Sequence, residues 1–412
     1  MTSGDSFLRD FATLSAFGAT ERGGVHREAA SEADEAQRRW FEQLLAGRGF
    51  TVRYDRIGNQ FGLRETVPGA PYVLVGSHLD SQPRGGRYDG AYGVLAAAHA
   101  VHRVAGTGGT ALNLAVVNWF NEEGSRFTPS MFGSAVFTGA LDLDTARDTT
   151  DPAGVRVGDR LAAMGQTGTE APVLADVAAY AEIHIEQGRV LEETGTTIGL
   201  VADTWAARKY DLRVLGDQSH TGSTPMADRQ DALLGAAHLV VAARALADEL
   251  STPDAPLHTS VSRMAVEPNS PVTVAREAVL NLDLRSPDED LLARADATLH
   301  ERIPAIERTA RVGIEVAGAQ RWGVRPFPEA GVELARRAAD ELGLSHRRIS
   351  TVAGHDSVHL NAHVPTVMLF VPSVDGISHN EAELTRDDDA LAGVELLTAV
   401  VRRLAAGEPA GG

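Results

Sequence analysis

Apolar residues recur in this chain first at helical spacing and then as short unbroken runs. Residues 25–49 (VHREAASEADEAQRRWFEQLLAGRG) carry spaced apolar positions between charges, which predicts a surface helix. Tyr72–Val75 and Leu112–Trp119 are apolar runs of strand length, and the small-residue stretch Gly93–Val104 between them reads as a helix. Ala181–Ile185 is a third short strand. This strand–helix–strand order predicts a sheet covered by helices. Further on, a helix is expected over 328–342, a strand over Thr366–Val371 and a last helix near 388–406. The Thr/Asp/Gly-rich stretch 144–170 reads as a surface excursion, and no internal repeat is present.

The rhythm changes between Ala207 and Trp322. Lys209–Leu215 alternates polar and apolar residues, and Asp228–Leu250 is helical. Thr259–Val266 and Val279–Arg285 read as strands, Asp288–Arg302 as a helix and Arg311–Ala317 as a closing strand. The order β-α-β-β-α-β is the ferredoxin-like motif. The expected fold is therefore α/β, with two domains, as 412 residues suggest. Residues 1–206 and 323–412 build a central mixed sheet covered by helices, and 207–322 form an inserted ferredoxin-like α+β domain.

Composition narrows the chemistry. A formal charge of −18 argues against a nucleic-acid surface, which needs clustered Lys and Arg. The absence of cysteine leaves His, Asp and Glu as metal ligands and suits a reducing cytoplasm. The opening MTSGDSFLRDFATLSAFGAT lacks a basic start followed by an apolar run, so no secretory signal is expected. No apolar stretch approaches the roughly 18 residues of a membrane span.

Five residues of metal-ligand type fall where a chain can aim them: His78 in GSHLDS, Asp89 in GRYDGAYG, Glu123 in NEEGSRF, His184 in HIEQG and His379 in GISHNEAE. Several follow the apolar strands, and ligand sites of open α/β sheets lie at the carboxyl ends of strands. The set suits two divalent ions about 3.5–4 Å apart. Asp80, two residues beyond His78, is placed to accept the other N–H of that imidazole. Asp89 lies among glycines that allow close backbone approach. Glu122 and Glu123 are adjacent acids at the exit of a buried strand, a costly arrangement unless cations balance it. One can bind metal while the other, Glu122, accepts a proton from water.

Taken in order, GSHLDS, GRYDGAYGVLAA, NEEGSRF, HIEQG, HTGSTPM, GHDS and GISHNEAE resemble the N-carbamoyl-L-amino-acid hydrolase, β-ureidopropionase and allantoate amidohydrolase family. That family belongs to a clan with aminoacylases and dimetal exopeptidases. The resemblance spans about residues 5–405. It implies two divalent ions per subunit (Zn, Mn, Co or Ni), one held by His78, Asp89 and His379 and the other by Asp89, Glu123 and His184. It makes Glu122 the general base and the inserted domain a dimerisation domain and lid. His220 in HTGSTPM would stabilise the tetrahedral intermediate, reaching across a homodimer. Gln187, Asn269, Arg285 and His355 would contact substrate, with Arg285 holding its carboxylate, a task that suits the guanidinium fork.

One departure stands out. The family reads PN-x-x-NVIPG before the arginine strand, whereas this chain has Pro268-Asn269-Ser270-Pro271-Val272-Thr273. Val272 replaces the second Asn, which points to a changed acyl part or tail. The expected reaction is hydrolysis of an N-carbamoyl-L-amino acid to amino acid, CO2 and ammonia, with allantoate or another N-acyl or ureido acid as the alternative. A non-catalytic descendant would be expected to lack a ligand or the base, and none is missing.

Overall fold

The computed structural model describes residues 3–411. The chain divides into two compact units, Met1–Ala202 with Phe327–Gly412, and Asp203–Pro326.

The first unit is built on an eight-stranded mixed sheet. Its strand order is Thr51–Tyr54, Gln60–Arg64, Asn113–Trp119, Tyr72–His78, Val177–Ile185, Thr366–Val371, Ile198–Thr204 and His346–Thr351. The middle four strands run parallel, and their neighbours Gln60–Arg64 and Ile198–Thr204 run antiparallel to them. Those four are the apolar runs visible in the sequence, buried along nearly their whole length. Helices Ala91–Thr107 and Asp387–Ala405 pack against the strands and share their core, which includes Val94, Val101, Ile183, Leu369, Val394 and Leu397. All four parallel strands end at the same edge, bringing His78, the Asn121–Glu123 turn, His184 and the loop after Val371 together. The expected mixed sheet covered by helices is thus observed. The four outer strands carry weaker patterns and were not foreseen.

Two expectations fail here. The helix expected over 25–49 runs only from Glu32 to Gly47. Ser31 caps it by accepting from Asp34 N–H, and the Asp34 carboxylate takes the Ala30 N–H, so residues before Ser31 stay outside. Nor is it only a surface helix, because Phe41 and Leu45 are fully buried. The stretch 144–170 is not a plain excursion either. It carries helices Leu143–Asp148 and Val157–Met164, and Val157, Leu161 and Met164 pack with Ile57, Phe120, Phe127 and Phe132.

The second unit has a four-stranded antiparallel sheet in the order Gly313–Trp322, Ala206–Leu215, Glu277–Ser286, His258–Glu267, with helices Ala232–Leu250 and Glu289–Ala310. Leu280, Leu282 and Leu284 share a core with Ala236 and Leu239 of one helix and Leu291 and Leu299 of the other. The second helix continues past Arg302, where the pattern suggested an end, because it accommodates Pro304 internally. Among the described residues no helix is long and apolar enough to cross a membrane.

Candidate metal centre and active site

Asp89 is the hub of the site. Its Oδ1 lies 3.0 Å from Nε2 of His184 and 3.6 Å from Nε2 of His78, while its Oδ2 lies 3.2 Å from Nε2 of His379. Nε2 of His379 is also 3.4 Å from Glu123 Oε2. The candidate ligands thus form two groups that share Asp89: His78 with His184, and Glu123 with His379. This corrects the expected pairing, in which His379 joined His78 and His184 joined Glu123. Spacing along the chain cannot say which carboxylate oxygen faces which imidazole.

The imidazoles are oriented as ligands. Nδ1 of His78 lies 2.9 Å from the Asp80 carbonyl, and Nδ1 of His184 lies 2.9 Å from the Ile185 carbonyl. A carbonyl can only accept, so each Nδ1 carries hydrogen and each Nε2 is turned towards Asp89. Nitrogen lone pairs converging on a carboxylate need a cation between them, either protons or metal. The site therefore fits a pair of divalent ions, with His78, Asp89 and His184 as one donor set and Asp89, Glu123 and His379 as the other.

Asp80 works differently from the expectation. Its main-chain carbonyl orients His78, while its carboxylate accepts the N–H groups of Glu122 (3.1 Å) and Glu123 (3.2 Å). The Asp80 carboxylate thereby fixes the turn that carries Glu122 and Glu123. Three further residues brace the site, and two of them, Gln82 and Glu383, had no role assigned from the sequence. Gln82 donates to Glu123 Oε1 from its backbone and to Oε2 from its side chain. Glu383 accepts the N–H groups of Tyr88 and Asp89 with Oε1 and the Ser378 hydroxyl with Oε2. Gly90, at φ +62°, has space for no side chain, because a Cβ would lie 2.3 Å from the His78 ring. Glu383 left a signal as the second acid of the motif GISHNEAE, and Gly90 as one of the glycines around Asp89 in GRYDGAYG.

Charge in this pocket is finely opposed. Burial pushes Glu122 well above the ordinary carboxylate range, helped by Asp356, Glu123 and Asp80 and resisted by His78, whose Nε2 is 3.5 Å away. Burial acts against the charge of Asp89, but hydrogen bonds from three imidazoles hold it well below its usual value. For the half-exposed His379, desolvation is outweighed by Asp89 and Glu123, which raise it to about 9. Without metal, protons on the histidines balance these acids; divalent ions would displace them.

Gln187, expected to contact substrate, is committed to the hub. Its Nε2 donates to Asp89 Oδ2 (2.9 Å) and to Ser378 Oγ (3.0 Å). His355 is buried, with its ring 4.5 Å from that of His184. His220, Asn269 and Arg285 belong to the second unit. His220 is exposed, and its Nδ1 accepts from Gly222 and Ser223 N–H, which leaves Nε2 as the donor. Thr273 pairs with His220 across a short two-stranded sheet, so the exposed Asn269 and Val272 stand in the same loop region. Arg285 lies on the sheet face away from the helices and donates through Nε and Nη2 to Asp283.

With this geometry in hand, the relatives are informative. Residues 74–403 match the model of peptidase family M20/M25/M40. The chain belongs to that family. A protein of Mycolicibacterium smegmatis named only as a hydrolase is 56% identical over 97% of this chain and 92% of its own length. An N-carbamoyl-L-amino-acid amidohydrolase of Rhizobium meliloti is 36% identical, covering 91% of this chain and 90% of the relative. The crystal structure of a hydantoinase/carbamoylase family amidase from Burkholderia vietnamiensis superposes with a TM-score of 0.91 at 35% identity, over 98% and 97% of the two chains. This family member is an amidohydrolase acting on non-peptide C–N bonds.

Proposed function

We propose that the enzyme hydrolyses the ureido bond of N-carbamoyl-L-amino acids as a cytoplasmic homodimer that uses two divalent ions. The observation that carries this reading is the pair of donor sets sharing Asp89, with Glu122 beside them and belonging to neither. Two divalent ions bound there would polarise the carbamoyl carbonyl and ease deprotonation of a water. Glu122, beside the two donor sets and belonging to neither, accepts that water's proton. The water oxygen adds to the carbamoyl carbon. Glu122 then returns the proton to the amino-acid nitrogen as the C–N bond breaks. The amino acid leaves with carbamate, which decomposes to CO2 and ammonia.

His220 donates from Nε2 to the developing oxyanion, and the homodimer supplies it from the partner subunit. Arg285 holds the substrate carboxylate, with Asn269, Gln187 and His355 around the acyl group. Zn, Mn, Co and Ni all suit the N/O donor set. Val272, exposed where the family carries Asn, favours a second reading in which another ureido or N-acyl acid such as allantoate is preferred. A panel of carbamoyl, formyl and acetyl amino acids with allantoate, followed by ammonia and amino-acid release, decides between them. Carbamoyl amino acids should be turned over fastest; faster allantoate cleavage would establish the second reading.

A further inference from the structure

Arg27 is fully buried, although it lies in the link before the first long helix. Its Nη1 donates to the Leu14 carbonyl at 2.8 Å, while Nε and Nη2 have no hydrogen-bond partner among the described residues. A buried guanidinium with two idle donor atoms is costly and needs a compensating field. Burial lowers its pKa to about 10, so it stays charged at neutral pH. The acids acting on it through space are Asp34, Glu383 and Asp80.

Two of those acids are the braces of the metal centre. Asp80 holds the N–H groups of Glu122 and Glu123, and Glu383 holds those of Tyr88 and Asp89. The main chain beside Arg27 is bonded to the loop between them. Arg27 N–H donates to Ser81 Oγ, Ser81 N–H to the Arg27 carbonyl, and Val25 N–H to the Gly85 carbonyl. Gly24 permits this approach, since a Cβ there would sit 2.5 Å from the Gly85 oxygen.

We propose that Arg27 is a positioning residue of the metal centre: its buried charge anchors Asp80 and Glu383, and through them the turns that present Asp89, Glu122 and Glu123. The proposal rests on the dimetal reading of that centre. It makes a prediction of sign. A positive charge acting only through space repels an incoming divalent ion, so its removal would tighten metal binding. A charge that holds the bracing acids in place does the reverse.

The test is Mn2+ binding to metal-stripped full-length protein, measured by competition with a chelating dye. Arg27→Met should weaken binding on the order of tenfold or more, as losses of outer contacts to metal ligands do. Arg27→Lys, which keeps the charge, should stay within about threefold of the parent, well short of that loss. The Arg27→Met penalty should shrink in a Glu383→Gln background, because the two act through one path. Arg27→Gln serves in place of Arg27→Met should the latter not fold. Equal or tighter binding by the neutral variants overturns the proposal, as does a penalty undiminished in both Glu383→Gln and Asp80→Asn backgrounds. A parent protein that binds no Mn2+, Zn2+, Co2+ or Ni2+ overturns the dimetal reading itself, which separates the two failures.

Discussion

Glu123 and His220 mark the two ends of a range of constraint. Both oxygens of Glu123 accept hydrogen bonds from Gln82, its N–H is held by Asp80, and it shares His379 with the hub Asp89. His220 is exposed on a two-residue strand, where its Nδ1 accepts from the Gly222 and Ser223 N–H groups. The first unit fixes groups whose geometry must match metal ions to a fraction of an ångström. On the proposed reading, the second unit supplies donors to the substrate.

The sharpest way to break this contrast is Asp89→Ala. Both donor sets lose their common member, so metal analysis should find neither ion tightly held and no activity. Retention of two ions would refute the hub. Next comes Glu122→Gln, which should keep its metal and lose turnover by about 10²–10⁴-fold, the usual worth of a positioned base. Activity within a few-fold of the parent would remove Glu122 from the chemistry.

If His220 acts across the proposed homodimer, the inactive Glu122→Gln and His220→Ala proteins should complement each other in a verified mixed dimer. One of its two sites then has an intact base and an intact donor. Failure to complement, with both variants folded and metal-loaded, would place His220 outside a shared site. A smaller change is expected for Arg285→Lys. KM for a carbamoyl amino acid should rise about tenfold as the planar fork is lost, with kcat less affected. An amidated substrate handled as well as the free acid by the parent would end this assignment.

The smallest effect concerns the metal-free protein. His379 is raised to about 9 in the folded state against its ordinary 6.5, so it binds more protons folded than unfolded in that interval. Its contribution to stability is complete below about pH 6.5 and is lost as pH rises through 9. Asp80 and Glu383, each raised to about 7 chiefly by burial, act in the same direction at lower pH. The unfolding midpoint of stripped protein should therefore fall between pH 7 and 9, and metal should abolish the fall. A midpoint that rises over that range in the stripped protein would contradict the geometry around His379.

What could be read from the sequence follows the same division. His78, the Glu122–Glu123 pair and His184 were visible because each ends or follows a buried apolar run, where a polar residue is conspicuous. The central strands were visible for the same reason. Gln82 and Arg27 were not, because nothing local marks them, and Glu383, although it lies in the GISHNEAE motif, serves a backbone 294 positions away. Asp80 was named for the right centre and the wrong atoms, since a His-x-Asp pattern does not distinguish a carboxylate from the carbonyl beside it. The two short helices over 143–164, of 6 and 8 residues, were hidden because segments that short show too little of the helical repeat.

The strand Thr366–Val371 lies inside the large sheet, between Val177–Ile185 and Ile198–Thr204, although it is synthesised last of the eight. The loop that follows it carries His379 and Glu383. A chain emerging from the ribosome must therefore keep a slot in its sheet unfilled while the whole Asp203–Pro326 insert is made. During that interval the edges of Val177–Ile185 and Ile198–Thr204 are bare, and bare edges invite pairing with other chains. His78, Asp89 and His184 all precede the insert, but the set of Asp89, Glu123 and His379 is complete only once the final strand and the loop after it are made, so an ion held there can act as a seal on finished chains.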